Sequence, residues 1–314
     1  MPKSKVVIVG TGMVGMSYAY SLVNQGVVEE LVLIDIDKNR AEGEAMDLNH
    51  GLAFAPRKMH IYAGDYKDAK DADLVVITAG VNQKEGETRI DLLNRNATIM
   101  KSVVKNIMES GFDGILLVAS NPVDILTYVA KKASNLPANR VIGSGTSLDT
   151  ARLRYEISKK INISVGNIHA YILGEHGDSE FVCWSNAYIG VKPMKDVIES
   201  MKEIEFEDLH KIYMNVKEAA YEIIKRKKAT YYGIGMTLVR ITAAIINNEN
   251  RIIPISVYND GVYDIDKDLY IGLPAVLNHQ GVHHIVKLKL SETEQEQLKS
   301  SASILKNLLD QMDI

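Results

Sequence analysis

A histidine flanked by glycines and an aspartate–arginine pair are the side chains of this sequence best suited to chemistry at a carbonyl group. His176 lies in the segment GEHGD at 174–178, directly after an apolar run. Asp149 and Arg152 are three residues apart and would share one face of a helix. Reduction of a carbonyl by hydride requires a proton donor, a group that polarises the oxygen and a cation that anchors the substrate. Taken singly, such residues more often serve as a structural histidine and a surface ion pair.

A glycine-rich turn near the amino terminus has the spacing of a dinucleotide-binding loop. The segment GTGMVG at 10–15 follows an apolar run and begins a helical pattern. Gly10 permits the tight turn, Gly12 lets the backbone approach a pyrophosphate, and Gly15 lets the helix pack against the strand. The amino terminus of that helix would face the phosphate charge. The alternative is a glycine turn in an α/β protein that binds no nucleotide.

An acidic residue further along the chain supports the nucleotide interpretation and predicts the cofactor. Asp35 ends the apolar run 31–34, about twenty residues after the last glycine. A carboxylate there accepts hydrogen bonds from a ribose 2′-hydroxyl and repels a 2′-phosphate. The sequence therefore predicts binding of NAD rather than NADP, a preference that Lys38 and Arg40 weaken slightly.

Alternating apolar runs and helical patterns in the first half predict a parallel sheet covered on both faces. The predicted strands cover 6–9, 31–34, 60–63, 74–78, 115–119 and 141–142. Beyond about residue 145 long helices are mixed with less regular strands, and one amphipathic helix is predicted over 201–228. The last helix is predicted to open with a capping box of Ser291 and Glu294. We therefore expect two domains, 1–144 and 145–314.

The composition is that of a globular chain with small-molecule partners. The 314 residues are 46% hydrophobic, and 36 basic against 40 acidic residues give a formal net charge of -4. This balance lacks the basic field on which nucleic-acid binding depends. The sequence has a single cysteine, Cys183, and no apolar stretch of membrane-spanning length. Because Met1 is followed almost directly by a predicted strand, we expect no signal peptide and a cytoplasmic location.

Five motifs follow one another along the chain. They are the glycine turn, AGVNQKEGETR at 79–89, SNPVD at 120–124, the Asp149/Arg152 segment and GEHGD. In kind and order they resemble the motifs of the L-lactate/L-malate dehydrogenase family, over nearly the whole sequence. The resemblance implies a doubly wound, mostly parallel Rossmann sheet with a second α+β substrate domain, an NAD cofactor, no metal and a homotetramer. It also implies a mobile loop at about 81–92 in the first domain.

The resemblance implies roles for four side chains at the reacting carbonyl. His176 is the acid–base residue, and Asp149 bonds its far ring nitrogen, which fixes the tautomer and stabilises the imidazolium. A carboxylate neighbour raises the pKa of a histidine, so a proton stays available near neutral pH. Arg152 binds the substrate carboxylate through two parallel hydrogen bonds, which lysine cannot reproduce. Arg89 closes over the ketone, polarising its carbonyl and excluding water.

Further residues are implied along the cofactor and around the substrate. Asn121 is expected to hydrogen-bond near the nicotinamide ribose and the substrate, and Ser144 and Thr230 to line the same pocket. Secondary contacts along the dinucleotide are expected from Val14, Arg40, Tyr66, Gly80 and Val81.

Gln83 matches the position that meets the group attached to the keto carbon, where malate dehydrogenases carry an arginine. A neutral amide gives no counter-charge to a second carboxylate, and Glu85 and Glu87 nearby would repel a dianion. The preferred interpretation is therefore the reversible reduction of pyruvate to (S)-lactate. An L-malate or broader L-2-hydroxy acid dehydrogenase is the enzymatic alternative. A dinucleotide-binding structural or sensing protein without turnover is the alternative from another class.

Arg154 and His169 match the positions at which allosteric bacterial lactate dehydrogenases bind fructose 1,6-bisphosphate at a subunit interface. On a helix, Arg154 and Arg152 point in nearly opposite directions, so they cannot serve one pocket. Paired cationic groups from two subunits repel one another when empty, so a bisphosphate would favour the assembled, active arrangement. A surface arginine beside a structural histidine is the alternative.

Overall fold

The first six strands form a parallel sheet whose order reverses beside the first strand. The computed structural model describes residues 4–81, 86 and 88–312, with Arg89 described by its backbone alone. The strands of this half are β1 (Lys5–Val9), β2 (Glu30–Ile34), β3 (His60–Ala63), β4 (Leu74–Ile77), β5 (Ile115–Val118) and β6 (Val141–Gly143). Their order is β3-β2-β1-β4-β5-β6. A crevice therefore opens at the carboxyl ends of β1 and β4, where doubly wound sheets bind ligands.

The strands of this sheet are covered on both faces. Every residue of β4 and β5 is buried, as expected when helices pack above and below a parallel sheet. The helices of the first half are α1 (Met13–Gln25), α2 (Lys38–Gly51), α3 (Arg89–Glu109) and α4 (Val123–Ser134). All six predicted strands are confirmed, each to within one residue at either end.

The predicted loop at about 81–92 overlaps the first turn of α3. The helix begins at Arg89 because Thr88 caps it, accepting a hydrogen bond from the Asp91 N–H at 3.2 Å. The last four residues of the predicted loop are therefore helical.

The second half adds five more helices and eight strands within the described residues. Its helices are α5 (Ser147–Ile161), α6 (Met194–Ser200), α7 (Phe206–Lys227), α8 (Tyr232–Ile246) and α9 (Glu292–Asp310). Its short strands are β7 (Ile168–His169), β8 (Ile172–Leu173), β9 (Phe181–Val182), β10 (Tyr188–Ile189) and β11 (Lys192–Pro193). Its long strands are β12 (Arg251–Asn259), β13 (Leu269–Asn278) and β14 (Gly281–Ile285).

The two halves share one continuous sheet. Strands β12, β13 and β14 form an antiparallel meander, and β12 pairs with β6 where Ser256 lies opposite Gly143. The result is a nine-stranded sheet in the order β14-β13-β12-β6-β5-β4-β1-β2-β3. The predicted class, a Rossmann sheet with a second α+β part, is confirmed. The continuation of the sheet beyond residue 144 was not predicted.

A second apolar core holds α5 against the short strands. Leu153 and Ile157 of α5 pack with Ile172 of β8 and Val216 of α7, and each is at most 1% exposed. Burial of each such side chain stabilises the fold by about 2 kcal/mol. This packing fixes α5 beside the segment that follows β8, which carries His176.

The helix predicted over 201–228 starts later than expected. Residues 201–205 separate α6 from α7, and α7 begins at Phe206 after a capping box formed by Glu205 and Asp208. The apolar periodicity did not distinguish the turn at 201–205 from the helix, so the predicted helix began too early. The capping box at the start of α9 is confirmed, since Ser291 Oγ accepts a hydrogen bond from the Glu294 N–H. Among the described helices, none combines the length and apolar character required to cross a membrane.

Candidate active site

The glycine turn joins β1 to α1 at the crevice. Gly10 has a φ of +106°, and a side chain there would lie 2.7 Å from the Ala79 backbone nitrogen, so the turn requires glycine. At Gly12, a side chain would meet nothing within 4 Å, and no side chain caps the first N–H groups of α1. Open space beside a helix amino terminus suits a phosphate group.

The carboxylate predicted to bind ribose is fixed by the same turn. Asp35 Oδ2 accepts hydrogen bonds from the Thr11 N–H at 2.7 Å and from Thr11 Oγ1 at 2.8 Å. Burial would raise the pKa of Asp35, but the N–H groups of Asp37 and Thr11 hold it below its ordinary value. The ionised carboxylate can therefore accept further bonds from hydroxyl groups. Sequence reasoning missed Thr11, whose hydroxyl inside the glycine turn was the available signal.

Three predicted side chains meet where α5 faces the segment after β8. His176 Nδ1 lies 2.6 Å from Asp149 Oδ2, and Arg152 Nη1 donates to Asp149 Oδ1 at 2.9 Å. Asp149 is only 2% exposed, so this is a buried cluster and not the surface ion pair that the spacing alone favours. Because Nδ1 faces a carboxylate it carries hydrogen, which leaves Nε2 free to exchange a proton with a ligand.

The charges of this cluster keep the imidazole protonated. Burial would lower the pKa of His176, but the Asp149 carboxylate raises it to about 9. Burial would likewise raise the pKa of Asp149, yet the imidazole and the Arg152 guanidinium hold it below its ordinary value. At neutral pH the pair is therefore an imidazolium bonded to a carboxylate.

A buried glutamate that sequence reasoning missed completes the cluster. Glu180 is 5% exposed and hydrogen-bonds Asp149. Burial and the nearby Asp149 charge raise the pKa of Glu180 to about 9, so at neutral pH it is a neutral acid that donates its proton to Asp149. Its position two residues after the GEHGD motif was the only available signal.

The composition of this cluster is also compatible with a metal ion, because ligand atoms of Asp149, His176 and Glu180 lie within 4.8 Å of one another. The ring nitrogen and the carboxylate oxygen, however, bond each other directly at 2.6 Å. An ion between them would have to break this bond, so we interpret the cluster as an acid–base group.

Two of the remaining predicted residues lie outside the described part of the chain. Gln83 and the side chain of Arg89 are those two. Asn121 is exposed ahead of α4, Ser144 is buried after β6, and Thr230 is half-buried between α7 and α8. The predicted dinucleotide contacts, all partly or fully exposed, are Val14, Arg40, Tyr66, Gly80 and Val81.

The backbone that follows β4 is anchored by a buried asparagine. Asn96 of α3 accepts a hydrogen bond from the Val81 N–H at 3.0 Å and donates to the Val81 carbonyl at 3.3 Å. Asn96 is 4% exposed. Sequence reasoning missed it, because one asparagine in a helical pattern carries no signal of a contact 15 residues away.

Arg154 and Arg152 have different partners, as predicted from their spacing. Arg154 Nε donates to the Ala170 carbonyl at 3.1 Å, and its guanidinium lies 5.1 Å from the centre of the Tyr171 ring. This places Arg154 next to β7, which carries the exposed His169.

Two family profiles cover the chain. Residues 4–143 match the profile described as lactate/malate dehydrogenase, NAD binding domain, and residues 146–313 match lactate/malate dehydrogenase, alpha/beta C-terminal domain. The chain belongs to the lactate/malate dehydrogenase family.

Several members of the lactate/malate dehydrogenase family are similar to the chain over nearly its full length. The L-lactate dehydrogenase of Geobacillus sp. (strain WCH70) is 55% identical, covering 98% of this chain and 96% of that protein. A lactate dehydrogenase called MGS-M5, from a Medee basin deep-sea metagenome library, has a crystal structure with a TM-score of 0.99, 75% identity and complete coverage of both chains. The ligand-bound minor L-lactate dehydrogenase from Enterococcus mundtii gives a TM-score of 0.96 at 51% identity, covering 98% of each chain.

The cofactor of this lactate/malate dehydrogenase family member is NAD. Two features of the structure fit a dinucleotide: the open space at Gly12 beside the start of α1, and the ionised Asp35 at the end of β2. The first would receive the pyrophosphate, and the second a ribose hydroxyl.

In this family member, the pH dependence of carbonyl reduction should follow the acid–base cluster. Reduction needs the protonated imidazole, so kcat/KM for the keto acid is expected to be constant below about pH 9 and to fall above it. Oxidation of the hydroxy acid needs the neutral imidazole and should rise over the same range. The inflection belongs to the joint titration of His176, Asp149 and Glu180. Initial rates in both directions from pH 6 to 10 test this, and a reduction rate that already falls near pH 6.5 would contradict it.

Proposed function

We propose that this protein is an NAD-dependent L-lactate dehydrogenase that interconverts pyruvate and (S)-lactate. The observation that supports this most strongly is the contact of 2.6 Å between His176 Nδ1 and the buried Asp149, with Arg152 bound to the same carboxylate. The relatives named L-lactate dehydrogenase at 54–55% identity point in the same direction. A cytoplasmic location is part of the proposal.

In the proposed reaction each side chain of the cluster has one task. Bound NADH would supply the hydride, and His176 Nε2 would donate a proton to the ketone oxygen. Asp149 stabilises the imidazolium and orients its ring. Arg152 uses the donors not engaged by Asp149 to bind the substrate carboxylate. Arg89 polarises the carbonyl, and Gln83 meets the methyl group.

The cofactor would extend across the amino-terminal half, which we assign to residues 1–144, with 145–314 as the substrate domain. Its pyrophosphate would lie at Gly10, Gly12 and Gly15, with Asp35 on the adenosine ribose. Around the nicotinamide and substrate we place Asn121, Ser144 and Thr230. Val14, Arg40, Tyr66, Gly80 and Val81 would make the remaining contacts. The loop at about 81–92 is proposed to close over the substrate.

Exposed apolar side chains are consistent with the proposed assembly into a homotetramer. On neighbouring helices α1 and α8, Tyr20 is 62% exposed and Met236 55%. In the second half, Tyr155 is 58% exposed and Tyr188 39%. Contiguous apolar surfaces exposed to water are typical of subunit interfaces, and these side chains would contribute to such surfaces.

One of these exposed side chains, Tyr188, adjoins the proposed effector position. Tyr188 pairs directly with His169 across the β7–β10 ladder. A ligand bound by His169 and Arg154 would therefore lie close to a surface that another subunit can cover. We propose that this ligand is fructose 1,6-bisphosphate and that it activates the enzyme by favouring the assembled form.

One substrate screen tests the proposed function. NADH oxidation is measured with pyruvate, oxaloacetate and 2-ketoisocaproate. The kcat/KM for pyruvate is expected to exceed that for oxaloacetate by about 10²-fold. Preference for oxaloacetate would identify a malate dehydrogenase, and preference for 2-ketoisocaproate a broader 2-hydroxy acid dehydrogenase. NADH that binds without being oxidised by any keto acid would identify a binding protein.

The same screen with fructose 1,6-bisphosphate tests the effector. The compound is expected to lower the apparent KM for pyruvate by about fivefold or more. Arg154→Gln should remove this response, whereas Arg226→Gln, which changes an exposed arginine paired with Glu222 on α7, should keep it. If fructose 1,6-bisphosphate leaves the apparent KM for pyruvate unchanged at every pH from slightly acid to neutral, the regulatory proposal is disproved. The catalytic proposal would remain intact.

A further inference from the structure

One buried carboxylate near the active site has no role in the proposed reaction. Asp124 ends the SNPVD motif and is the second residue of α4. It is 2% exposed, and burial raises its pKa to about 6, so it is ionised at neutral pH. An ionised carboxylate at the start of a helix is stabilised by the helix dipole, but a location this deep still requires specific partners.

Both oxygens of Asp124 bind groups from the other half of the chain. Oδ2 accepts the backbone N–H of His176 at 2.8 Å, and Oδ1 accepts the hydroxyl of Ser256 at 2.5 Å. Ser256 is fully buried on β12, at the point where β12 pairs with β6. Asp124 therefore connects three elements: α4, the segment carrying His176 and the junction of the sheet.

Together with the contact to Asp149, these contacts hold both the ring and the main chain of His176 in place. Asp149 holds the imidazole ring at Nδ1, while Asp124 holds the main chain of the same residue. A ring bonded only at Nδ1 could still shift with its backbone. Because a displacement of about 1 Å at a reacting group can cost about 10²-fold in rate, the backbone contact bears directly on where Nε2 lies.

We propose that Asp124 is a positioning residue for the reaction, holding the main chain of His176 against the NAD-binding half. A negative charge at this position also favours the protonated imidazole. This inference rests on the proposed role of His176 as the proton donor. It gives the aspartate of the SNPVD motif a function distinct from that of Asn121 in the same motif.

The charge of Asp124 acts on His176 together with the other groups that face the imidazole. Asp149, with Arg152 bound to its carboxylate, faces the imidazole from α5, and Glu180 faces it from the segment leading to β9. Asp149 makes the largest favourable contribution to the raised pKa of His176, and Asp124 adds to it. Glu180 adds to it only once it ionises, because it is a neutral acid at neutral pH. Removal of the Asp124 charge should therefore lower the pKa of His176, but Asp149 should still hold it above its ordinary value.

Two substitutions separate the positioning and charge effects. Asp124→Asn keeps an acceptor for the His176 N–H but removes the charge. The alkaline limb of kcat/KM for pyruvate should therefore move down by about half to one pH unit, with kcat at pH 7 largely retained. Asp124→Ala removes the acceptor as well and should lower kcat by about 10- to 100-fold while the Kd for NADH stays within about twofold.

A matched control comes from the same helix. Thr127 is fully buried on α4 and bonds the Val123 carbonyl, one turn from Asp124. Thr127→Val should lower the melting temperature but leave the position of the alkaline limb unchanged.

The proposal is overturned if the alkaline limb of kcat/KM does not move in Asp124→Asn. It is also overturned if the Asp124→Ala enzyme folds and matches the parent kcat. If the alanine variant fails to fold, the asparagine variant decides. Parent enzyme that oxidises no NADH with pyruvate would instead refute the proposed function.

Discussion

Replacement of His176 by asparagine is expected to lower kcat for pyruvate reduction by about 10³-fold, while NADH binding stays unchanged. Asparagine can still donate a hydrogen bond to Asp149, but it cannot supply a proton to the ketone oxygen. General acid catalysis of this kind contributes about 10²- to 10⁴-fold. Steady-state rates together with a fluorescence titration of NADH measure the two quantities separately.

The control for this substitution is another histidine. His210 is exposed on α7, so His210→Asn should retain the parent rate. The residual activity of His176→Asn should also lose the alkaline limb near pH 9. A loss of less than about tenfold, or a limb that persists, would mean that another group donates the proton.

Replacement of Gln83 by arginine should raise the ratio of kcat/KM for oxaloacetate to that for pyruvate by about 10²-fold or more. A guanidinium gives the second carboxylate of oxaloacetate a bidentate partner, and a methyl group leaves that charge unpaired. The substitution adds attraction for oxaloacetate and a penalty for pyruvate. Both effects raise the ratio of kcat/KM for oxaloacetate to that for pyruvate. Kinetics with both keto acids at one pH give the ratio.

A neutral replacement separates charge from shape at this position. Gln83→Leu removes the amide without adding a cation, so it should not improve use of oxaloacetate. An unchanged ratio in Gln83→Arg would place the side chain of residue 83 away from the substrate and remove the basis for preferring pyruvate.

The parts of the site built from neighbouring residues were predictable from the sequence. The glycine turn, Asp35 and the six parallel strands depend on local spacing and apolar runs, and all lie where predicted. The pairing of Asp149 with His176, 27 residues apart, could not be derived from spacing, and only the resemblance to a family predicted it. The starting residue of α7 was missed because an apolar period does not reveal which residue caps a helix.

The contacts that sequence reasoning missed are those between distant segments. Glu180 and Asp124 are ordinary acidic residues in the sequence, and their partners are known only once the chain is folded. Asp124 reaches His176 across 52 positions and Ser256 across 132. No periodic pattern encodes such pairs, so buried polar groups that bridge segments had to come from the structure.

The pairing of β12 with β6 limits how far the chain can be treated as two exchangeable modules. A fragment ending near residue 144 would expose the hydrogen-bonding edge of β6, which is prone to pair with other chains. Chimeras that join one relative's nucleotide half to another's substrate half would have to re-form this strand pairing at Gly143 and Ser256. Evolutionary exchange of domains in this architecture must therefore preserve the pairing of β6 with β12, because the domain boundary lies between two neighbouring strands of one sheet.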